Sequence, residues 1–172
     1  QYDPETIICT TLDYDHPDAY ESHAAVIAVF EDFFKKVETK DNGRLIYYDS
    51  DAVLAQTALE VVSSEKRISY GFSPESNVYA INIDHQPEAT TFDVVCFGET
   101  LSDWKIRLQG KHNVANALSV IAAGHLYGWD MELLKNAVST FAGAVRRMQL
   151  LAKGKTTILF DDYAHHHTEI AA

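Results

Sequence analysis

The sequence predicts an α/β fold: a doubly wound, mostly parallel sheet with a small antiparallel meander attached. Two observations predict it. Short β-rich apolar runs alternate with helical periodicities from Ile7 to Tyr70, and after Gly71 three strand-like runs follow one another with turns alone between them. The length, 172 residues, suits one domain or a domain plus a piece of another.

Ile7-Ile8-Cys9-Thr10-Thr11-Leu12 reads as a buried strand, followed by the acidic loop Asp13-Tyr14-Asp15-His16-Pro17-Asp18. From Tyr20 to Val37 the apolar positions Val26, Phe30, Phe33, Phe34 and Val37 recur at helical spacing, which predicts a helix with one buried face. Asp41-Asn42-Gly43 makes a turn into a second strand at Leu45–Tyr48. A helix from Ala52 to Val62 and a third strand at Ile68–Tyr70 complete the alternation. The meander comprises Val78–Ile83, Thr90–Phe97 and Trp104–Leu108. In the last of these Trp104, Ile106 and Leu108 alternate with Lys105 and Arg107, so one face is wet. The helical period returns at Val114, Ala117, Leu118, Ile121 and Ala122. Asp130 is placed to cap a further helix, and Thr156–Phe160 reads as a closing strand.

Composition narrows the function. Fourteen basic against twenty-five acidic residues give a net charge of −11, which argues against a phosphate-backbone binder of nucleic acid. No apolar stretch has the length of a membrane helix. The sequence opens Gln1-Tyr2-Asp3-Pro4, without an initiator methionine or a basic segment leading into an apolar one. It reads as a processed or excised piece with no secretory leader. Cys9 and Cys96 sit in separate apolar runs, which predicts two buried thiols in a reducing, cytoplasmic compartment rather than a disulfide.

Five segments could carry chemistry. Lys153-Gly154-Lys155-Thr156-Thr157 mimics the end of a phosphate loop. The glycine that the pattern requires five residues before Gly154 is Gln149, so the segment reads as a basic turn into a strand. Asp13, Asp15, His16 and Asp18 follow a buried strand, at the edge where open α/β sheets bind ligands. They read as a divalent-cation site or as a solvated acidic loop. Asn113 and Asn116, on one face of a helix's first turn, read as a carboxamide pair able to match the N6/N7 edge of adenine, or as helix caps. Arg146-Arg147, read as lying at the end of the last helix, could clamp phosphate or complement the helix dipole. Asp161-Asp162-Tyr163-Ala164-His165-His166-His167 follows a strand directly. Adjacent side chains on extended backbone diverge, so one or two catalytic or phosphate contacts fit this run better than a self-contained zinc site.

Taken in order, four motifs resemble the Mur ligases: Thr11-Leu12-Asp13-Tyr14-Asp15-His16-Pro17-Asp18, Gly110-Lys111-His112-Asn113-Val114-Ala115-Asn116-Ala117-Leu118, Phe141-Ala142-Gly143-Ala144-Val145-Arg146-Arg147 and Asp161-Asp162-Tyr163-Ala164-His165-His166. The likeness runs along the whole chain. It is nearest to the branch that joins L-alanine to UDP-N-acetylmuramate in peptidoglycan synthesis. The resemblance implies a three-domain, cytoplasmic ligase that uses ATP and Mg²⁺ and serves cell-wall growth, cell shape and division. Residues 1–148 would be the second half of its central ATP-binding domain, and 149–172 the linker and first strand of the C-terminal domain. The family's phosphate loop and metal-binding glutamate would lie upstream, so the isolated chain is expected to be inactive.

Position by position, the resemblance implies that His16 ligates magnesium and that Asn113 and Asn116 hold adenine, with His112 in the same nucleotide site. It implies that Arg147 stands near the transferred phosphate, and that Asp162 and His165 close over nucleotide and amino acid. Two departures stand out. His167 replaces the family's usual proline, and Met148 replaces its usual aromatic residue. The sister ligase that recycles murein tripeptide carries very similar motifs. A metal-binding or metallohydrolase module built on His16 and residues 165–167, or an inactive scaffold piece, would use the same residues differently.

Overall fold

The computed structural model describes residues 2–15, 17–165 and 170. Its main body is a six-stranded sheet with strands in chain order. The first three strands, β1 (Thr6–Cys9), β2 (Arg44–Tyr48) and β3 (Arg67–Gly71), run parallel to one another and to the start of β4 (Val78–Gln86). From there the meander turns antiparallel through β5 (Ala89–Cys96) and β6 (Glu99–Ile106). The α/β reading with an attached meander is borne out. Two helices, α1 (His23–Glu38) and α2 (Ala52–Val61), connect the parallel strands, and α3 (Lys111–Leu126) and α4 (Met131–Thr140) follow the meander.

Period-two alternation sends side chains from one strand into two different cores. Leu45 and Tyr47 of β2 pack with Phe34 and Val37 of α1 and Leu54 and Ala58 of α2. Ile46, between them, packs with Tyr70, Phe92, Trp104 and the α3 residues Val114, Leu118 and Ile121. The helices therefore cover both faces of the sheet. The two thiols are free and buried, one in each core.

Several boundaries move for identifiable reasons. β1 ends at Cys9 rather than Leu12, because the Leu12 N–H goes to the Asp51 carboxylate at 2.8 Å instead of to a neighbouring strand. α1 starts at His23 rather than near Tyr20, since Ser22 caps it through the Ala25 N–H. The expected cap by Asp130 is present, its Oδ1 accepting from the N–H groups of Glu132 and Leu133 at 2.9 and 3.0 Å. In the meander two register breaks face each other across β5, and Asp93 joins them. Its carboxylate accepts Asn82 Nδ2 at 2.8 Å and the Asp103 N–H at 2.9 Å.

A separate antiparallel ribbon follows α4: β7 (Gln149–Lys153) and β8 (Ile158–Asp161). The Lys153–Thr157 segment is its turn, closed by the Gly154 N–H on the Thr157 carbonyl at 2.8 Å, in line with the basic-turn reading. Among the described residues no helix is long and apolar enough to cross a membrane.

Candidate functional site

α3 runs antiparallel to the three parallel strands, and two contacts fix its direction. At its C-terminal end the Tyr127 hydroxyl meets Thr6 Oγ1, at the start of β1, at 2.7 Å. At its N-terminal end Lys111 Nζ lies 4.3 Å from the centre of the Phe72 ring, just past β3. The N-terminus of α3 thus stands at the C-terminal edge of the parallel strands, where open α/β sheets take ligands and where a helix presents unpaired N–H groups.

The same edge gathers the loops that follow β1, β2 and β3. The acidic loop is anchored at Leu12 by Asp51 and by the Tyr14 hydroxyl, which donates to the Tyr20 carbonyl at 3.0 Å. Asp49, after β2, is half-buried, and burial pushes its carboxyl above the usual carboxylate range. Ser76 donates to it at 2.5 Å. A Cβ on Gly71 would stand 2.2 Å from an Asp49 oxygen, so the glycine leaves that carboxylate its room. Sequence reasoning passed over both Asp49 and Asp51. Asp51, directly before an apolar helical run, carried the usual signal of an N-cap.

Asn113 and Asn116 border one cleft of about 140 Å³, whose other walls are Ile106, Leu108, Ala117, Val120, Val138 and Phe141. Six apolar side chains beside two carboxamides suit a flat heteroaromatic base with hydrogen-bonding edges. Asn113 Nδ2 also donates to the Gln109 carbonyl at 2.7 Å and lies 3.0 Å from His112 Nε2, so it serves the helix entry as well. Gly110, with φ +91, is the N-cap, and a Cβ there would meet the His112 ring at 2.7 Å. Gly143, with φ +97, brings the loop after α4 against Leu108 of the cleft wall.

The two arginines are not at a helix end. α4 stops at Thr140, and Arg146 and Arg147 lie in the loop that follows, which removes the dipole-complement reading. Arg147 sits between two left-handed residues, Arg146 at φ +61 and Met148 at φ +45. For residues with a Cβ such backbone costs about 1–2 kcal/mol each, so it needs support. Residues 162 and 163 supply it. The Met148 N–H donates to Asp162 Oδ2 at 2.9 Å, and the Tyr163 N–H donates to the Arg146 carbonyl at 2.8 Å. The Arg146 guanidinium carbon lies 4.3 Å from the centre of the Tyr163 ring.

The N–H groups of Ala164 and Met148 hold the Asp162 carboxyl below the usual carboxylate range, and the charges of Arg147 and His112 lower it further. His112, Arg147 and Asp162 therefore share one electrostatic neighbourhood. His165 Nδ1 lies 2.9 Å from the Tyr163 carbonyl. His16, His166 and His167 lie outside the described residues. Among those described, no three His, Cys, Asp or Glu side chains gather as a metal site would require.

Fold and edge together define a class: an α/β domain with an apolar, carboxamide-flanked cleft at a helix N-terminus that stands beside the C-terminal ends of its parallel strands. The sequence profile of the Mur ligase middle domain matches residues 1–124. The UDP-N-acetylmuramate–L-alanine ligase of Desulfitobacterium hafniense is 32% identical over 173 aligned residues, which cover 98% of this chain and 36% of that protein. The chain belongs to the Mur ligase family. It spans about a third of the length of the curated relatives it matches. Solved structures share its fold, two of them Mur ligases. MurF from Acinetobacter baumannii has a TM-score of 0.84 at 19% identity, covering 99% of this chain and 36% of that one. The UDP-N-acetylmuramate-alanine ligase MurC from Thermotoga maritima has a TM-score of 0.76 at 23% identity, covering 98% and 37%.

Proposed function

We propose that this chain is part of an ATP-dependent ligase that joins L-alanine to UDP-N-acetylmuramate in the cytoplasm. In this reading residues 1–148 complete a central nucleotide-binding domain, and 149–172 begin the next. The separate β7–β8 sheet, starting at Gln149, supports that boundary. The observation that carries the reading is the cleft in which Asn113 and Asn116 border six apolar side chains. Adenine needs an apolar slot for its faces and a donor–acceptor pair for its N6/N7 edge, and a carboxamide supplies such a pair.

When bound, ATP supplies the phosphoryl group that turns the muramate carboxylate into an acyl phosphate open to attack by the alanine amino group. The chain's own residues have simpler tasks. Asn116, with Asn113 and His112, orients the base. Arg147 neutralises charge that grows on the transferred phosphate. Asp162, kept ionised by the Ala164 and Met148 N–H groups, holds the loop that carries Arg147. His165 is assigned to the closing segment beside nucleotide and amino acid. His16 is assigned to Mg²⁺ from its position in the acidic loop after β1, and the carboxylates of Asp13 and Asp15 in that loop suit a hard cation.

The full-length protein, given ATP, Mg²⁺, UDP-N-acetylmuramate and L-alanine, should release phosphate in step with amide formation. Turnover that requires murein tripeptide in place of L-alanine would transfer the reading to the sister ligase. Tight stoichiometric zinc with no ATP turnover would transfer it to a metallohydrolase. The 172-residue chain alone should hydrolyse no ATP, because the amides and lysine of the family's phosphate loop provide most of the grip on β- and γ-phosphates.

A further inference from the structure

Arg147 has a bracket around it that the ligase chemistry does not itself require. Both neighbours, Arg146 and Met148, hold left-handed backbone, which an arginine and a methionine adopt only under restraint. The restraint comes from the far side of the β7–β8 ribbon. Tyr163 contributes twice, donating its N–H to the Arg146 carbonyl at 2.8 Å and setting its ring 4.3 Å from the Arg146 guanidinium carbon. The Arg146 N–H is in turn held by Gln149 Oε1 at 3.0 Å. A planar guanidinium over an aromatic face is a favourable and oriented contact. It fixes the side chain of the residue immediately before Arg147, on a loop held besides by Gln149 of β7 and by the Arg147 N–H on the Ala144 carbonyl at 3.2 Å.

We propose that Tyr163 and Arg146 are positioning residues for Arg147: their stacked pair, with the Tyr163 N–H on the Arg146 carbonyl, sets the backbone from which Arg147 reaches the reacting phosphate. The proposal rests on the ligase reading above, and it assigns no contact with substrate to either residue. Arg146 serves through its ring contact and its carbonyl. Tyr163 serves through its ring and its N–H, and its hydroxyl is not needed.

The test is a double-mutant cycle in the full-length protein, read as kcat and as the KM for ATP. Tyr163→Leu should lower kcat about tenfold, as expected when a charge-stabilising group is displaced by a fraction of an ångström, and leave the KM for ATP within about twofold. Tyr163→Phe, which keeps a ring under the guanidinium, should recover most of the rate. Arg146→Gln breaks the same contact from the other side and should mimic Tyr163→Leu without adding to it. In an Arg147→Ala background, Tyr163→Leu should cost nothing further. Equal losses in the presence and absence of Arg147, or a kcat loss that tracks the melting temperature, would overturn the positioning role. A parent protein that turns over no ATP would instead bring down the ligase reading, and the two failures are told apart by that parent assay.

Discussion

One carboxylate oxygen of Asp51 accepts the backbone N–H of Leu12 at 2.8 Å, while the other caps α2 through the Leu54 N–H at 3.0 Å. The first oxygen also accepts from Thr11 Oγ1 at 3.0 Å. A single side chain thus ties the loop after β1 to the start of α2, across the edge of the sheet. Loss of an N-cap alone costs about 0.5–2 kcal/mol, and here a second backbone donor is orphaned with it. Asp51→Ala should destabilise by about 2 kcal/mol in urea unfolding, and Asp51→Asn by less. An unchanged midpoint for the alanine variant would mean that the loop needs no such tie.

Asn116→Ala in the full-length protein should raise the KM for ATP roughly two- to tenfold, the worth of one hydrogen bond to a neutral partner. Steady-state kinetics with ATP varied reads the effect. A lowered melting temperature with the KM unmoved would leave Asn116 as a structural residue of the second turn of α3.

The hydrogen bond from Asn82 and then that from the Asp103 N–H hold the Asp93 carboxyl below its ordinary value. A carboxyl depressed on folding contributes stability above its unfolded value, near 4. That contribution fades as pH falls through the lower, folded value. The wild-type protein should therefore lose more stability between pH 5 and pH 2 than Asp93→Asn does, by chemical denaturation across that range. Parallel pH profiles would remove Asp93 from the account of the meander.

Burial pushes the Cys9 thiol up to about 12 and the Cys96 thiol up to about 11. The thiolate is the reactive form, so at pH 8 both should resist a disulfide reagent until the chain opens. Labelling should follow the unfolding rate, and fast labelling of the native protein at either cysteine would contradict the packing of that core.

Much of this was legible in advance because burial has a period. The apolar positions of α1 and the alternation in β6 follow spacings that a core imposes, and the segments between them end in residues with a single conformational use. The misses share a cause. β7 is a short strand with most of its residues exposed, so Leu150 and Leu151 follow no burial period and read as linker. The left-handed pair around Arg147 is invisible locally, because neither arginine nor methionine favours that backbone and the bonds that enforce it come from residues 162 and 163. The Asn113–Asn116 pair was visible from its spacing alone. The cleft that gives it meaning draws on Val138 and Phe141, which only the folded chain brings alongside.

The β7–β8 ribbon has a bearing on how this 172-residue chain, taken by itself, can come apart. Its Leu150, Leu151, Ile158, Leu159 and Phe160 are each roughly half exposed, and two strands cannot cover both of their own faces. The six-stranded body, with its two filled cores, can outlast openings of the ribbon. A protease that cuts after lysine meets Lys153 and Lys155 at the ribbon's tip. A cut there would sever the segment bearing Asp162 and Tyr163 from the loop bearing Arg147 while α1 to α4 stayed folded. One peptide bond at the ribbon's tip thus parts, along the chain, the loop around Arg147 from the residues that brace it, at a place where the six-stranded sheet would hardly register the loss.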